Sequence, residues 1–411
     1  MDRSRSRSTP PPADLIGTQK QFDELCDEIA DAGIVAFDTE FVSESYYKPK
    51  LCLVQLATPH GAYLVDPLAV PDLSPWWELM ADDETTIIVH GGREEIRFCQ
   101  RFAGAMPRRL IDVQVAEGLL SRGYPLAYKN IVAKVVGKAV GSHETRSDWE
   151  RRPLVAKQLE YAVEDVDYLL EIWRRQEQSL QKLGRIDWAY AEFDRLIDTV
   201  QQEQDREGWR KLSGVQRFSP KEQAVARALH EWRDRTAEQH DRPARVMFRD
   251  DMLLELVKRQ PKSVHEMNLT RGMQRRDYQA HAEEIIHVIR EAQALPSDQL
   301  PQSTSSRSSG SIDDVLSKLL SLALANRCME MNLSMSLVGT MSDIDELIRW
   351  HVFDSRRGPL PRLLAGWRAD VCGDLLTDLL DGKVSLRVSH PREDAPLRFD
   401  RRVEEGPGPR A

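Results

Sequence analysis

The sequence predicts a mixed α/β domain followed by two small all-α domains. Three observations carry that reading. Residues 34–66 hold three short strand-like runs divided by turn-rich stretches, residues 86–112 alternate strand and helix patterns, and beyond residue 191 the pattern is helical. Three consecutive short strands read as an antiparallel meander, and a meander followed by alternating elements reads as a mixed sheet with helices around it. With 411 residues and 41% hydrophobic content, the chain can bury several cores.

Residues 1–15 are Arg/Ser/Pro-rich and read as a disordered tail. They carry no apolar segment, so no secretory signal is expected. QFDELCDEIADAG then places Phe22, Leu25 and Ile29 on one helical face, with Gly33 as the stop. The strand runs are Ile34–Phe41, Leu51–Ala57 and Ala62–Asp66, separated by SESYYKPK and TPHG. A β-branched run, Thr86–His90, leads into a helix over Glu94–Phe102, and Leu110–Asp112 is a fifth short strand. This first domain spans residues 16–190.

Residues 216–295 form the first all-α domain, opened by Ser219 as an N-cap with Pro220 at the first helical position. It holds 15 Lys+Arg against 13 Asp+Glu, a relatively basic module in a chain of net charge -9. Residues 296–310 read as a flexible Ser/Pro/Gln linker. Residues 311–390 are helical again, free to move on that linker unless an interface fixes them, and 391–411 read as a charged tail.

The negative net charge excludes a globally basic coat protein, but not a local basic face. No apolar run is long enough for a membrane span. Cys26, Cys52, Cys99, Cys328 and Cys372 are scattered, odd in number and lack a CxxC pair. A disulfide scaffold and a thiolate zinc site are therefore not expected, and the cytoplasm is the simplest compartment.

The candidate chemistry lies in carboxylates. On a strand, residues two apart share a face, so Asp38 and Glu40 project together while Val35 and Phe37 face the other way. Two adjacent acids repel unless a cation lies between them, and hard Mg²⁺ or Mn²⁺ suits oxygen ligands. Glu95, in HGGREEIRF, lies just past a strand at a helix start, where open sheets place their sites. Tyr161 and Asp165 fall one helical turn apart on one face. Each motif taken singly is matched by a plainer reading: solvated strand-end acids, acids at a helix N-terminus, an amphipathic helix edged by a tyrosine.

Together these motifs resemble the DEDD superfamily of 3′→5′ exonucleases, in the Tyr-containing branch that includes the ribonuclease D family. FDTEFVSESYYKPKLCLVQLAT is similar to the first motif and its following strand, HGGREEIRF to the second, and RSDWERRPLVAKQLEYAVEDVDYLL to the third. Glu40 and Glu95 are 55 residues apart, and Glu95 and Asp165 are 70 apart, separations that also fit. One departure stands out: the family pattern has Asp where this chain has Glu95. The C-terminal half resembles HRDC domains, through Trp232, Arg233, Arg242-Pro243, Phe248-Arg249-Asp250 and Leu253-Leu254, and more weakly through PRLLAGWRADVCGDLLTDLLDGK.

The resemblance implies an RNase H-like nuclease domain followed by two HRDC-type domains. It implies metal-dependent exonucleolysis at free RNA 3′ ends, tRNA precursors among them, through two divalent cations (Mg²⁺ or Mn²⁺) about 3.5–4 Å apart. Asp38 then bridges both metals, Glu40 and Asp165 complete the first site, Glu95 supports the second, and Tyr161 orients the attacking water. Gln55, His90 and Trp149 are candidate substrate contacts, each with packing as its plainer role, as is Tyr47. Asp112 reads as a supporting residue. No membrane and no obligate protein partner are implied. Two rivals remain: a decayed nuclease that only binds nucleic acid, supported by Glu95 alone, and a DNA-directed exonuclease, since no residue here reports on the 2′-OH.

Overall fold

The computed structural model describes residues 15–141, 147–205, 207–301 and 314–401. The first domain opens with β1 (Leu15–Ile16), α1 (Gln19–Ala32), β2 (Ile34–Val42), β3 (Lys50–Thr58) and β4 (Gly61–Val65). Then come α2 (Ser74–Ala81), β5 (Thr86–Val89), α3 (Arg93–Ala103), β6 (Leu110–Asp112) and α4 (Val113–Leu120). It closes with α5 (Tyr128–Ile131), α6 (Ala156–Asp167), α7 (Leu169–Lys182) and α8 (Ile186–Asp205).

The six strands form one mixed sheet in the order β1-β4-β3-β2-β5-β6. The β2-β3-β4 meander is antiparallel, whereas β5 and β6 join parallel to β2. Both expectations hold, because tight turns can join only antiparallel neighbours and the parallel strands need helical crossovers. β1 is new. It is too short to show a period, and it pairs Leu15 with Leu64 at the sheet edge, inside the stretch expected to be a tail. The rest of that tail, residues 1–14, lies outside the described residues.

The faces of β2 follow its alternation. Phe37 points into the main core, where Trp76 meets its ring edge-on at 4.8 Å. Asp38 and Glu40 lie on the opposite face, in register with Gln55 and Leu53 of β3. There a smaller cluster of Leu53, Leu64, Trp149, Leu154 and Ala162 seats α6 across the meander.

The middle helical unit has its own core and is built from α9 (Pro220–Gln239), α10 (Ala244–Met247), α11 (Asp250–Arg259), α12 (Val264–Asn268), α13 (Arg276–Gln279) and α14 (Ala282–Gln293). Its core starts at Trp209, earlier than residue 216, because Trp209, Leu212 and Val215 fold back under it. The last unit holds α15 (Asp314–Met331), α16 (Met335–Val338), α17 (Met341–Ile348) and α18 (Asp374–Leu380). It ends in a hairpin, β7 (Val384–Val388) and β8 (Leu397–Arg401), so strand replaces part of the expected charged tail. The buried Leu397 N–H donates to Asn326 Oδ1 of α15, which holds the hairpin down.

The last unit is not loose. Its Leu320, Leu324, Leu337, Leu347 and Leu376 belong to the same continuous core as the nuclease domain. Arg368 Nη1 donates to the fully buried Glu192 of α8 at 2.7 Å, and Trp367 stacks on Trp188 at 5.2 Å. Among the described residues, no helix is long and apolar enough to cross a membrane. All five cysteines are free and buried.

Candidate active site

Three elements deliver the acids. β2 supplies Asp38 and Glu40 at its far end, just before a register shift between Glu40 and Phe41. The chain leaves β5 through Gly91-Gly92 into α3, whose first turn carries Glu95. Gly91 sits at φ +73°, and a Cβ on Gly92 would lie 2.3 Å from Val89 Cγ2, so only glycine permits this turn. Asp112 is spent on holding the turn. Its carboxylate accepts from the N–H groups of Gly91, Gly92 and Gln114, which makes it a structural anchor.

Glu95 is 6% exposed and reaches the end of β2, where Thr39 Oγ1 donates to its Oε1 at 2.7 Å. Arg93 and Arg97, on the solvent side of α3, both donate to Glu203 of α8 and pin the helix. The neighbouring Glu94 pairs outward with Arg97, which leaves Glu95 as the inward acid.

α6 supplies Tyr161 and Asp165, with the Tyr161 hydroxyl donating to the Asp165 carboxylate. The lead-in places this helix. Arg152 makes a bidentate pair with Asp66 at the end of β4, and also donates to Cys52 O of β3 and Trp149 O. Gln158 accepts from Val155 N–H and donates to Ser147. At the other end, Tyr128 donates its hydroxyl to Glu164 O. Arg146 of the same motif lies outside the described residues.

The electrostatics of the four acids are mutual. Burial is the largest cause in each, and it raises Asp38 well above the usual carboxylate range, with the charges of Glu95, Asp165 and Glu40 adding to it. Glu40 is pushed to about 8 by burial and then by Asp165 and Glu95. Glu95 and Asp165 rise to about 7, although Thr39 and Tyr161 respectively pull them down by hydrogen bonding. Burial, then Asp165, raises the Tyr161 phenol further above its ordinary value, so it stays protonated. Asp38 and Glu40 nonetheless keep part of their surface open to solvent. The acids share one field without a closed cage: among the described residues, no three His, Cys, Asp or Glu side chains are arranged as a ready ion site.

Three substrate-contact expectations change. Gln55 is fully buried beneath α6 and does not reach solvent. Trp149 is 4% exposed and packs against Tyr161 at 6.0 Å, so it is a packing anchor and not a stacking platform. His90 Nε2 is engaged with Leu126 O at 2.9 Å, a structural role. Tyr47 binds through its backbone, donating to Asp241 of the middle unit beside a Lys48–Glu238 ion pair. Sequence reading missed Thr39 and Arg152. Thr39 sits inside D-T-E, and Arg152 sits inside the third motif's lead-in, but a strand period gives no sign of a partner 56 residues away. A cavity of about 900 Å³ lies at the opposite ends of the central strands, near His60, Arg109 and Tyr190, and none of the four acids lines it.

Comparison with known proteins identifies the family. Residues 14–181 match the 3′-5′ exonuclease domain family, and residues 222–289 match the HRDC domain. Ribonuclease D of Gluconacetobacter diazotrophicus is 31% identical over 95% of this chain and 98% of its own. Ribonuclease D of Sphingobium indicum is 30% identical over 92% of this chain and 97% of its own. The crystal structure of Escherichia coli RNase D, described as an exoribonuclease involved in structured RNA processing, superposes with a TM-score of 0.79 at 26% identity, covering 90% of this chain and 99% of that one. The likeness runs through all three units and not the nuclease domain alone, and the chain belongs to the ribonuclease D family of 3′→5′ exoribonucleases.

Proposed function

We propose that this exoribonuclease removes nucleotides from the free 3′ ends of structured RNAs, tRNA precursors among them, with Asp38, Glu40, Glu95 and Asp165 holding two divalent cations. One observation carries the assignment. Four acids from three separate elements meet at half-buried to buried positions, and burial and neighbouring carboxylates raise all four. Such a set is unfavourable as bare protein, and its oxygen donors suit Mg²⁺ or Mn²⁺. When bound, the two cations supply the positive charge that stabilises the entering and leaving oxygens of the phosphodiester.

The protein residues do the rest. Asp38 is raised by the charges of all three other acids, which suits a ligand shared by both cations. Glu40 and Asp165 complete one site and Glu95 supports the other, braced by Thr39. Tyr161 gives its proton to the hydrogen bond with Asp165, so its oxygen is left to accept one from the attacking water. A raised phenol is a poor base, and its role is to orient that water. Attack at phosphorus breaks the bond to the preceding 3′ oxygen and releases a nucleoside 5′-monophosphate.

The middle helical unit supports RNA binding by its relatively basic composition. Free buried thiols suit a reducing compartment such as the cytoplasm. The test is degradation of matched RNA and DNA oligomers, and of a 3′-extended tRNA, with Mg²⁺ and Mn²⁺ compared. Loss of 5′-monophosphates one at a time from RNA 3′ ends is expected. Equal rates on DNA overturn the substrate assignment, and activity in EDTA overturns the metal assignment.

A further inference from the structure

Thr39 stands between Asp38 and Glu40 on β2, and strand alternation turns it to the opposite face, the one that Phe37 and Phe41 share. α3 docks on that face through two contacts one helical turn apart. Phe98 meets the Phe41 ring edge-on at 5.5 Å, and Glu95 Oε1 accepts from Thr39 Oγ1 at 2.7 Å. Thr39 and Glu95 are each 6% exposed, so this hydrogen bond is shielded from water. No other side chain among the described residues donates to Glu95. The arginines beside it on α3 are committed elsewhere, Arg93 to Glu203 and Arg97 to Glu94 and Glu203. Glu95 nevertheless acts on Asp38 more strongly than Asp165 or Glu40 does. β5 pairs with β2 only from Ile34 to Ala36, which leaves the β2 edge beside Thr39 free for the Glu95 carboxylate. That carboxylate is thus anchored on one face of the strand and close to the acids of the other.

We propose that Thr39 is a positioning residue for Glu95. Its hydroxyl holds Oε1 and turns Oε2 toward the cation shared with Asp38. The role rests on the two-cation reading above. A hydroxyl has one proton to give, so it engages one carboxylate oxygen and leaves the other for a metal. It is also neutral: it orients the carboxylate without neutralising it, as a lysine would. The pair is matched in length. Glutamate has one methylene more than the aspartate of the family pattern, and that extra reach of about 1.5 Å carries its carboxylate to Thr39. The same methylene adds a rotatable bond, and the hydrogen bond removes the freedom it brings. Buried behind the acids, Thr39 acts through Glu95.

The experiment uses the full chain. Thr39→Val keeps the β-branched shape and removes the hydroxyl, and Thr39→Ala is a second variant without it should the first fail to fold. Thr39→Ser keeps the donor. Mn²⁺ binding is titrated by electron paramagnetic resonance, and kcat and KM are measured on a 3′-hydroxyl oligoribonucleotide. Thr39→Val is expected to weaken the weaker of two Mn²⁺ sites about 10–100-fold, the usual effect of removing an outer-shell partner, and to leave the tighter one within about twofold. kcat falls with it while KM for RNA holds. Thr39→Ser restores Mn²⁺ affinity and kcat to within about threefold of wild type, which lost packing alone would not allow. In a Glu95→Asp background, where the shorter side chain no longer reaches Thr39, Thr39→Val has no further effect on Mn²⁺ binding. Mn²⁺ affinity of Thr39→Val within about twofold of wild type at both sites, beside a strong effect of Glu95→Gln, overturns the proposal alone. So does a loss that Thr39→Ser fails to restore. Mn²⁺ binding indifferent to Glu95→Gln and to Asp38→Asn overturns the two-cation reading and this proposal with it.

Discussion

Replacing Glu95 with glutamine separates the cost of the site from its use. Glu95 is 6% exposed, and its carboxyl is raised from 4.5 to about 7, chiefly by burial. A shift of that size corresponds to about 3 kcal/mol of unfavourable interaction once the group is ionised in the folded protein. The sign follows from proton counting. The unfolded chain releases this proton near pH 4.5 and the folded one near pH 7, so metal-free stability is fully present below pH 4.5 and is lost as pH rises through about 7. Glutamine removes that dependence while its amide oxygen can still accept from Thr39. Metal-free Glu95→Gln should therefore melt with wild type at pH 4.5 and above it at pH 8, by roughly 5 °C for about 2–3 kcal/mol in a domain of this size. Added Mn²⁺ should reverse the order at pH 8, because only wild type gains from binding. Single-turnover cleavage by Glu95→Gln should fall at least about 100-fold, while Glu95→Asp, which restores the family residue, stays within about tenfold of wild type. Thermal melts in EDTA and in Mn²⁺ at both pH values, with cleavage alongside, make the check. A metal-free variant no more stable than wild type at pH 8 refutes the electrostatic argument, and full cleavage by Glu95→Gln refutes the ligand assignment.

Asp38→Ala should abolish cleavage while far-ultraviolet circular dichroism stays native, and full activity in a folded variant contradicts the shared-ligand role. Arg152→Lys should lower both melting temperature and kcat, because lysine cannot reproduce the bidentate grip on Asp66 that seats α6; unchanged kcat would place α6 under other control. Glu192→Ala should destabilise by about 3–5 kcal/mol, because it leaves Arg368 buried without its partner. Limited proteolysis of the last unit should then accelerate, and an unaltered digestion pattern would refute its anchoring role. Lys48→Ala, at an exposed pair with Glu238, should change stability by under about 1 kcal/mol in a chemical melt.

What the sequence made legible was short-range. The alternation of Val35, Phe37, Asp38 and Glu40 assigned both faces of β2, and the helical spacing of Tyr161 and Asp165 put them on one face of α6. The order of the acids followed from the motifs. Their supports did not. Thr39 meets Glu95 and Arg152 meets Asp66 only because the sheet and α6 bring distant segments together. The burial of Gln55 and Trp149 was hidden for the same reason: a polar or aromatic residue reads alike whether it lines a cleft or sits beneath a helix. Composition also misjudged the ends. The Arg/Asp/Glu stretch read as a tail, whereas β8 forms part of a hairpin, and the Glu192–Arg368 pair supplies the interface that fixes the last unit.

The continuous core has a consequence for how the chain is made. Glu192 and Arg368 are 176 residues apart, and the whole middle unit is synthesised between them. In folding terms that unit is an insert: it closes its own core locally, while the surfaces on either side of it wait for each other. At about 5–20 residues per second, roughly 10–35 s pass between the emergence of Glu192 and of its partner. During that interval the apolar face of α8 and α4 is uncovered and an acid destined for the interior is still in water. The nuclease domain therefore reaches its final stability only when the last helices leave the tunnel.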